Sequence, residues 1–300
     1  MILKILSWNI NFIHDNWFDR IININSELKK EVDTYDIIAI QEAILPFSDA
    51  IYDVYKFLKQ RPNIKHFAGS EFFLELKYLN DKIKQFFPKY KVQLWKIFEL
   101  LMNNFLYILC WFCSIYGKSL KQLYFNHPFF CIILTCICPL LFFIGWFFFG
   151  MLTILNKKLN AVVKSKFVGR ALQYTEFKYN HRDIIFMNIH LSPENKKKKR
   201  MGEIMKICEF VKNKEICILG GDFNSEPNSK VYKFLKKEGF KSVIKEIYGK
   251  EKKTWPSKNP IKCLDYIWVK GDNIDIKSAG IFGNAMATDH KGIKVCLDIK

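Results

Sequence analysis

Short apolar runs that each stop at an acid, an amide or an imidazole constrain this chain more than any other feature. LKILSW leads to Asn9 and Asn11, IIAIQE closes on Glu42, and IIFMNIH closes on His190. ICILGGDFN carries Asp222 and Asn224, CLDYIWV carries Asp265, and Asp289 and His290 stand just before KGIKVCL. Apolar runs of this length, bounded by polar or turn residues, read as core strands. Polar residues at the ends of several buried strands converge on one cleft. Their chemistry is coherent: hard oxygen ligands for a divalent cation, an imidazole supported by a carboxylate, and amide donors for a phosphate oxygen.

Between the strands the pattern changes to helix. Trp17, Ile21, Ile24 and Leu28 recur at spacings of four, three and four, and Met201, Ile204, Met205, Cys208 and Val211 repeat the pattern between the His190 and Asp222 strands. The alternation specifies an α/β chain, while periodicity alone does not separate two packed sheets from one doubly wound sheet. The run Lys196 to Arg200 reads as a solvated loop ahead of the second helix.

Half of the residues are apolar, enough for a large core, and 47 Lys/Arg against 29 Asp/Glu leave a net charge of +18. Such an excess fits a nucleic acid, an anionic membrane face or simple solubility. Nine cysteines, an odd number mostly within apolar runs, argue against a secreted disulfide framework. Cys110 and Cys113 form a CxxC inside LYILCWFCSIY, where packed or membrane-buried thiols are expected rather than a redox or zinc pair. MILKILSWNI reads as a core strand and not as a secretory leader.

The middle of the chain is of another kind. Phe129 to Leu155 runs for 27 residues without a charge, beyond the roughly 20 that cross a bilayer, and a membrane span is favoured over the alternative of a buried core helix. Leu100 to Tyr116 adds another 17 uncharged residues. GMLTILNK, from Gly150, reads as a strand, so the membrane segment proper is about 129 to 149. The polar positions lie on both sides of this stretch, so the insert crosses an even number of times, dips in and returns, or lies along the surface. A hairpin at about 100–149 satisfies that requirement. Lys157, Lys158, Lys164 and Lys166 follow it, so the positive-inside bias places the flanking regions on the cytoplasmic side. EFFLELKYLNDKIKQFFPKYKVQLWKIF, ahead of the hairpin, reads either as an interfacial amphipathic helix or as an ordinary packed one.

Six segments, SWNIN, IIAIQEA, MNIHLSP, LGGDFNSEP, CLDYIWV and ATDH, occur in an order that resembles the endonuclease/exonuclease/phosphatase superfamily of metal-dependent phosphoesterases. The resemblance implies a single catalytic domain over 1–300, a two-sheet sandwich flanked by helices and interrupted by the hydrophobic insertion. It implies Mg²⁺, with Mn²⁺ as the substitute, on Glu42 with Asn9, and Asp289 as a further or water-mediated ligand. It assigns catalysis to Asp222, Asn224, His190, Asp265 and His290, and contacts to the substrate phosphate to Asn9, Asn11, His190 and Asn224. His290, paired with Asp265, is expected to serve as general base or as cationic stabiliser. The expected substrate is a phosphodiester, with a phospholipid or sphingomyelin headgroup favoured over nucleic acid. Lys262 stands where abasic-site nucleases of the superfamily carry an aromatic residue. A noncatalytic membrane adaptor is the reading of another class, and the oligomeric state is open.

Overall fold

Each sheet of this protein is built around one parallel pair of strands, and that choice decides where the polar strand ends go. The computed structural model describes residues 2–11, 17–43, 64–70, 150–168 and 170–300. In the first sheet β1 (Ile2–Asn9) runs parallel to β2 (Ile37–Ala43), connected through helix α1 (Trp17–Glu31). β3 (Ile64–Ser70) and β4 (Gly150–Asn156) extend this sheet on one side. In the second, β5 (Val163–Phe167), β6 (Ala171–Tyr179) and β7 (Arg182–His190) precede α2 (Lys197–Val211) and β8 (Ile216–Asp222), and β7 and β8 are parallel. Helix α3 (Lys230–Lys237), β9 (Lys241–Ser242), α4 (Val243–Tyr248) and β10 (Asp265–Lys270) complete that half. β11 (Ile274–Phe282) and β12 (Gly292–Ile299) return to the first sheet. The strand orders are β11-β12-β1-β2-β4-β3 and β5-β6-β7-β8-β10-β9, with all remaining pairings antiparallel. Parallel neighbours need a crossover and end at the same edge of a sheet. Asn9 and Glu42 therefore finish at one edge of the first sheet, and His190 and Asp222, paired in register, finish at one edge of the second.

Alternation along the strands sorts side chains into layers. Leu3, Ile5, Ile37 and Ala39 face Ile184, Phe186, Ile216, Ile218 and Ile267 in the core between the sheets. Leu6, Trp8, Ile38 and Ile40 point the other way, against Ile24 and Leu28 of α1. Met187, Leu219 and Trp268 pack under α2 and α3 with Ile204, Ile207, Cys208, Val211 and Leu235. The two sheets and their outer helices form an α/β sandwich, the layer plan expected from the resemblance. The second helix differs in detail from its sequence reading. Ile207 joins the buried stripe and Met205 is exposed. The basic run is not a loop, because Lys197 to Arg200 form the first turn of α2. The lysines of that turn stay in solvent, whereas Arg200 is buried and donates to the Ser192 carbonyl at 3.2 Å.

Toward the edge where the parallel strands end, the inter-sheet layer changes from apolar to polar. Gln41 Nε2 donates to Asn188 Oδ1 at 2.7 Å and to Ser7 Oγ at 3.2 Å. Asn188 Nδ2 reaches the carbonyls of Ile40 and Leu152 and the Thr153 hydroxyl, and Thr153 Oγ1 donates to Gln173 Oε1 at 2.6 Å. This buried network joins β2, β4, β6 and β7 across the sandwich. Beside it, within the second sheet, β7 and β8 approach so closely that a Cβ at Gly221 would stand 1.8 Å from the carbonyl oxygen of its register partner Ile189.

The described cysteines, Cys208, Cys217, Cys263 and Cys296, are free thiols. The CxxC, the lysine-rich approach segment and the hairpin expected at 100–149 lie outside the described residues. Among the described residues no helix is long and apolar enough to cross a membrane.

Asn188→Leu is expected to remove the short bond from Gln41 and the donor to Thr153, leaving Gln41 with Ser7 and Ala39 and Thr153 with Gln173, and to lower unfolding stability by about 1–3 kcal/mol, the usual cost of impairing a buried polar group. Urea denaturation measures this. A loss within experimental error of zero would show that the network does not hold the sheets together.

Candidate active site

The centre of the site is a single amide. Asn9 is the last inward-facing residue of β1 and is fully buried. Its Nδ2 donates to Glu42 Oε1 at 3.1 Å and to Asp222 Oδ2 at 3.0 Å, so one side chain bridges carboxylates from the two sheets. Its own oxygen is fixed by the Asn11 backbone N–H at 2.9 Å.

Glu42 reaches this point by breaking the strand's alternation. Ile37, Ala39 and Gln41 face inward, so strict alternation would send Glu42 to the α1 side. The pairing of β2 with β4 slips between Gln41 and Ala43, and Glu42 takes φ 53°. A bulge of this kind re-aims a side chain. Asn11 (φ 32°) and Asn224 (φ 48°) also sit in the left-handed region, so three of the candidate residues share a backbone conformation that costs energy for most side chains.

His190 Nε2 lies 3.4 Å from Glu42 Oε1 and 3.9 Å from Asp222 Oδ2. Its other nitrogen, Nδ1, is 3.1 Å from Arg170 Nη2. A guanidinium only donates, so Nδ1 accepts and the ring proton belongs on Nε2, aimed at the two carboxylates. Arg170 also holds the Leu191 carbonyl at 2.9 Å. Asp222 Oδ1 accepts the Asn224 backbone N–H at 2.7 Å, and Asn224 Nδ2 reaches the Leu191 carbonyl at 3.0 Å.

On the far side of Asp222, across the antiparallel register pair with Asp265, stands the second imidazole. His290 Nδ1 lies 3.0 Å from Asp265 Oδ2, and the Trp8 indole holds the His290 carbonyl at 3.2 Å. Burial alone would keep His290 neutral, but Asp265, followed by Asp222 and Asp289, overrides it and pushes the pKa up to about 10. Burial, reinforced by Asp265, raises the proton affinity of Asp222 against the opposing pull of His290 and His190. Asp289 is not in either cluster of potential metal ligands among the described residues. Its oxygens accept from Asn11 Nδ2 at 2.9 Å and Trp255 Nε1 at 3.0 Å. Burial pushes the Asp289 carboxyl up, but His290 and those two donors outweigh it and hold the pKa low.

All nine sequence-derived residues meet at this edge. Four supporting residues were not read from the sequence: Arg170, Trp255, Thr254 and Arg20. Thr254 Oγ1 accepts the N–H groups of Leu264 and Asp265, and Arg20 on α1 grips the carbonyls of Ile10, Asn11 and Ala287. TWPSKNP is the local signal for Thr254 and Trp255; Arg170 and Arg20 carry none, because their roles arise only from tertiary placement.

The donor set fits a hard divalent cation. Glu42, His190 and Asp222 present ligand atoms within 4.8 Å of one another, as do Asp222, Asp265 and His290. His290 is engaged by Asp265 and the His190 proton faces the carboxylates, so the first cluster offers oxygen, chiefly from Glu42, whose side chain remains partly open to solvent.

In chelator-treated protein, Asp265→Asn should move the NMR titration of His290 down from about 10. The sign follows from linkage. A raised folded-state pKa gives stability that is complete below the unfolded value of about 6.5 and is lost as pH rises through about 10. Wild-type stability should therefore fall over that window and Asp265→Asn should flatten the slope; an unchanged titration would refute the assignment.

Residues 193–290 match the model of the Endonuclease/Exonuclease/phosphatase family. No curated protein matches. Among solved structures, D. rerio TDP2 complexed with a single-strand DNA product is similar at 16% identity and TM-score 0.59, over 99% of both chains. The human Nocturnin catalytic domain with bound sulfate anion is similar at 16% identity and TM-score 0.57, over 100% of this chain and 95% of that one. The Bacteroides thetaiotaomicron mannosyl-6-phosphatase Bt3783 gives 13% identity and TM-score 0.58, over 99% and 100%. At such identities these likenesses speak for the fold alone, and the family model that matches covers residues 193–290 of this chain.

Proposed function

We propose that the protein is a membrane-associated, Mg²⁺-dependent phosphodiesterase. The observation that carries this reading is the Asn9 amide joining Glu42 and Asp222 beside the Asp265–His290 pair. Glu42, with Asn9 adjacent, would hold the ion, with Mn²⁺ as a substitute. When bound, the ion would supply positive charge that offsets the negative charge of the phosphodiester and of the departing oxygen.

The remaining roles follow from the chain's own groups. Asp222 binds protons more readily than an ordinary carboxylate and takes the proton of the attacking water, which the Asn224 amide helps to place. His290 is cationic at neutral pH and, fixed by Asp265, serves as electrostatic stabiliser and proton source rather than as base. The Nε2 proton of His190 and the amides of Asn9, Asn11 and Asn224 are the donors for nonbridging phosphate oxygens. Asp289, with both oxygens engaged, anchors Asn11 and the Trp255 loop rather than the ion.

A lipid headgroup is the favoured substrate, supported by the uncharged run 129–149 and the lysines that follow it; these also favour a catalytic domain on the cytoplasmic side. Nucleic acid is the second reading, favoured by the net charge of +18. An inactive adaptor would not need a complete set of catalytic residues.

Purified full-length protein in detergent, with Mg²⁺ or chelator, should be assayed against phospholipid vesicles and against single-stranded and duplex oligonucleotides. Hydrolysis should require the metal and fall by on the order of 10²–10⁴-fold in His290→Ala, the usual weight of a proton-transfer group. Lipid-restricted turnover supports the first reading and oligonucleotide cleavage the second, while full activity in Glu42→Ala and His290→Ala would remove the site altogether. Replacing 100–148 by a short linker should release the protein from membranes; continued firm retention would contradict the hairpin.

A further inference from the structure

The two ends of the insertion are not at an arbitrary place on the fold. The chain leaves the first sheet at Ser70 and re-enters it at Gly150, and these two residues are register partners. Gly150 is also the partner of Ala43, the residue after Glu42. Neighbouring strands are about 4.8 Å apart, so both ends of the insertion are fixed at the rim that carries the candidate active site, within a strand or two of Glu42. On the carboxyl side the uncharged run of the sequence continues through Phe149 up to Gly150, the first residue of β4.

The far rim of the same cleft has a matching character. Met286, in the loop that leads to Asp289 and His290, and Ile261, beside Trp255, are the two most exposed large apolar side chains among the described residues, at 66% and 59%. Lys258 is exposed nearby, in the segment whose Ser257 N–H bonds the Asp289 carbonyl, and Lys291 donates its N–H to the Thr254 carbonyl. Isolated apolar side chains among lysines suit a headgroup interface, where each lysine near an anionic surface is worth about 1 kcal/mol.

We infer that this rim is the membrane-docking face, so that the catalytic cleft opens toward an anionic bilayer and receives its phosphodiester from the membrane surface. The inference rests on the membrane-associated reading above and adds an orientation to it. With the insertion attached at Ser70 and Gly150, a bilayer that engages it lies against the Glu42 edge, and the opposite edge, with the β6–β7 turn and the end of β12, faces away.

Lysine acylation footprinting with mass spectrometry tests the orientation on the intact chain. Full-length protein on vesicles of phosphatidylcholine and phosphatidylserine is compared with the same protein after replacement of 71–149 by a short turn, free in solution. Lys258 and Lys291 should be acylated several-fold more slowly on vesicles, while Lys178 and Lys300, at the opposite edge, should keep their solution rates. Vesicle-bound protein with equal protection of all four, or protection of Lys178 and Lys300 alone, would overturn the orientation while leaving membrane association standing. Failure of the full-length protein to float with the vesicles would overturn both.

Discussion

The structure depends on one geometric constraint: each sheet has a parallel pair at its centre, and the carboxyl ends of the two pairs meet across the sandwich. Parallel strands end together, and antiparallel neighbours begin where they end. The inward positions of β1, β7 and β8 close on Asn9, His190 and Asp222, and β10 opens on Asp265. A polar cluster is thereby assembled from residues that are distant in sequence, and the contact of Asn9 with both Glu42 and Asp222 fastens the two sheets at that edge.

The cost of such a site is electrostatic. Asp222, Asp265 and Asp289 are gathered around His290, and burial by itself pushes the Asp222 and Asp289 carboxyls toward the neutral form. What keeps charge in place is the network of fixed donors: the Asn9, Asn11 and Asn224 amides, the Trp255 indole and the His290 imidazolium. The polar layer below, Gln41, Asn188, Thr153 and Gln173, continues the same solution into the core, where these side chains bond across the sandwich and only the Gln41 oxygen among them is left without a partner. Preorganised dipoles of this kind lower the reorganisation needed when charge develops on a substrate.

Much of this was legible in the sequence because strand ends are marked by local contrast. An apolar run followed by Asn, Glu, His or Asp identifies both the strand and the candidate residue, and GMLTILN was readable as β4 for the same reason. What sequence could not give was orientation. Alternation assigns Glu42 to the wrong face, and only the bulge at Gln41 and Ala43 returns it to the cleft. Arg170 and Arg20 act through tertiary contacts that no spacing predicts. The lysine run before Met201 was misread because charge was taken for a loop signal, although lysines with buried Arg200 and Ile204 behind them can form a solvated first turn. The attachment of the insertion beside Glu42 likewise came from strand register and not from hydropathy.

The central claim, that Glu42 is the core of a divalent-cation site built where the two sheets meet, is tested most directly by calorimetric titration of Mg²⁺ into detergent-solubilised full-length protein and its Glu42→Gln variant. Saturable binding in the wild type that is lost in Glu42→Gln, with circular dichroism unchanged, is the predicted result. Equal binding by both proteins would place the ion elsewhere and contradict the account.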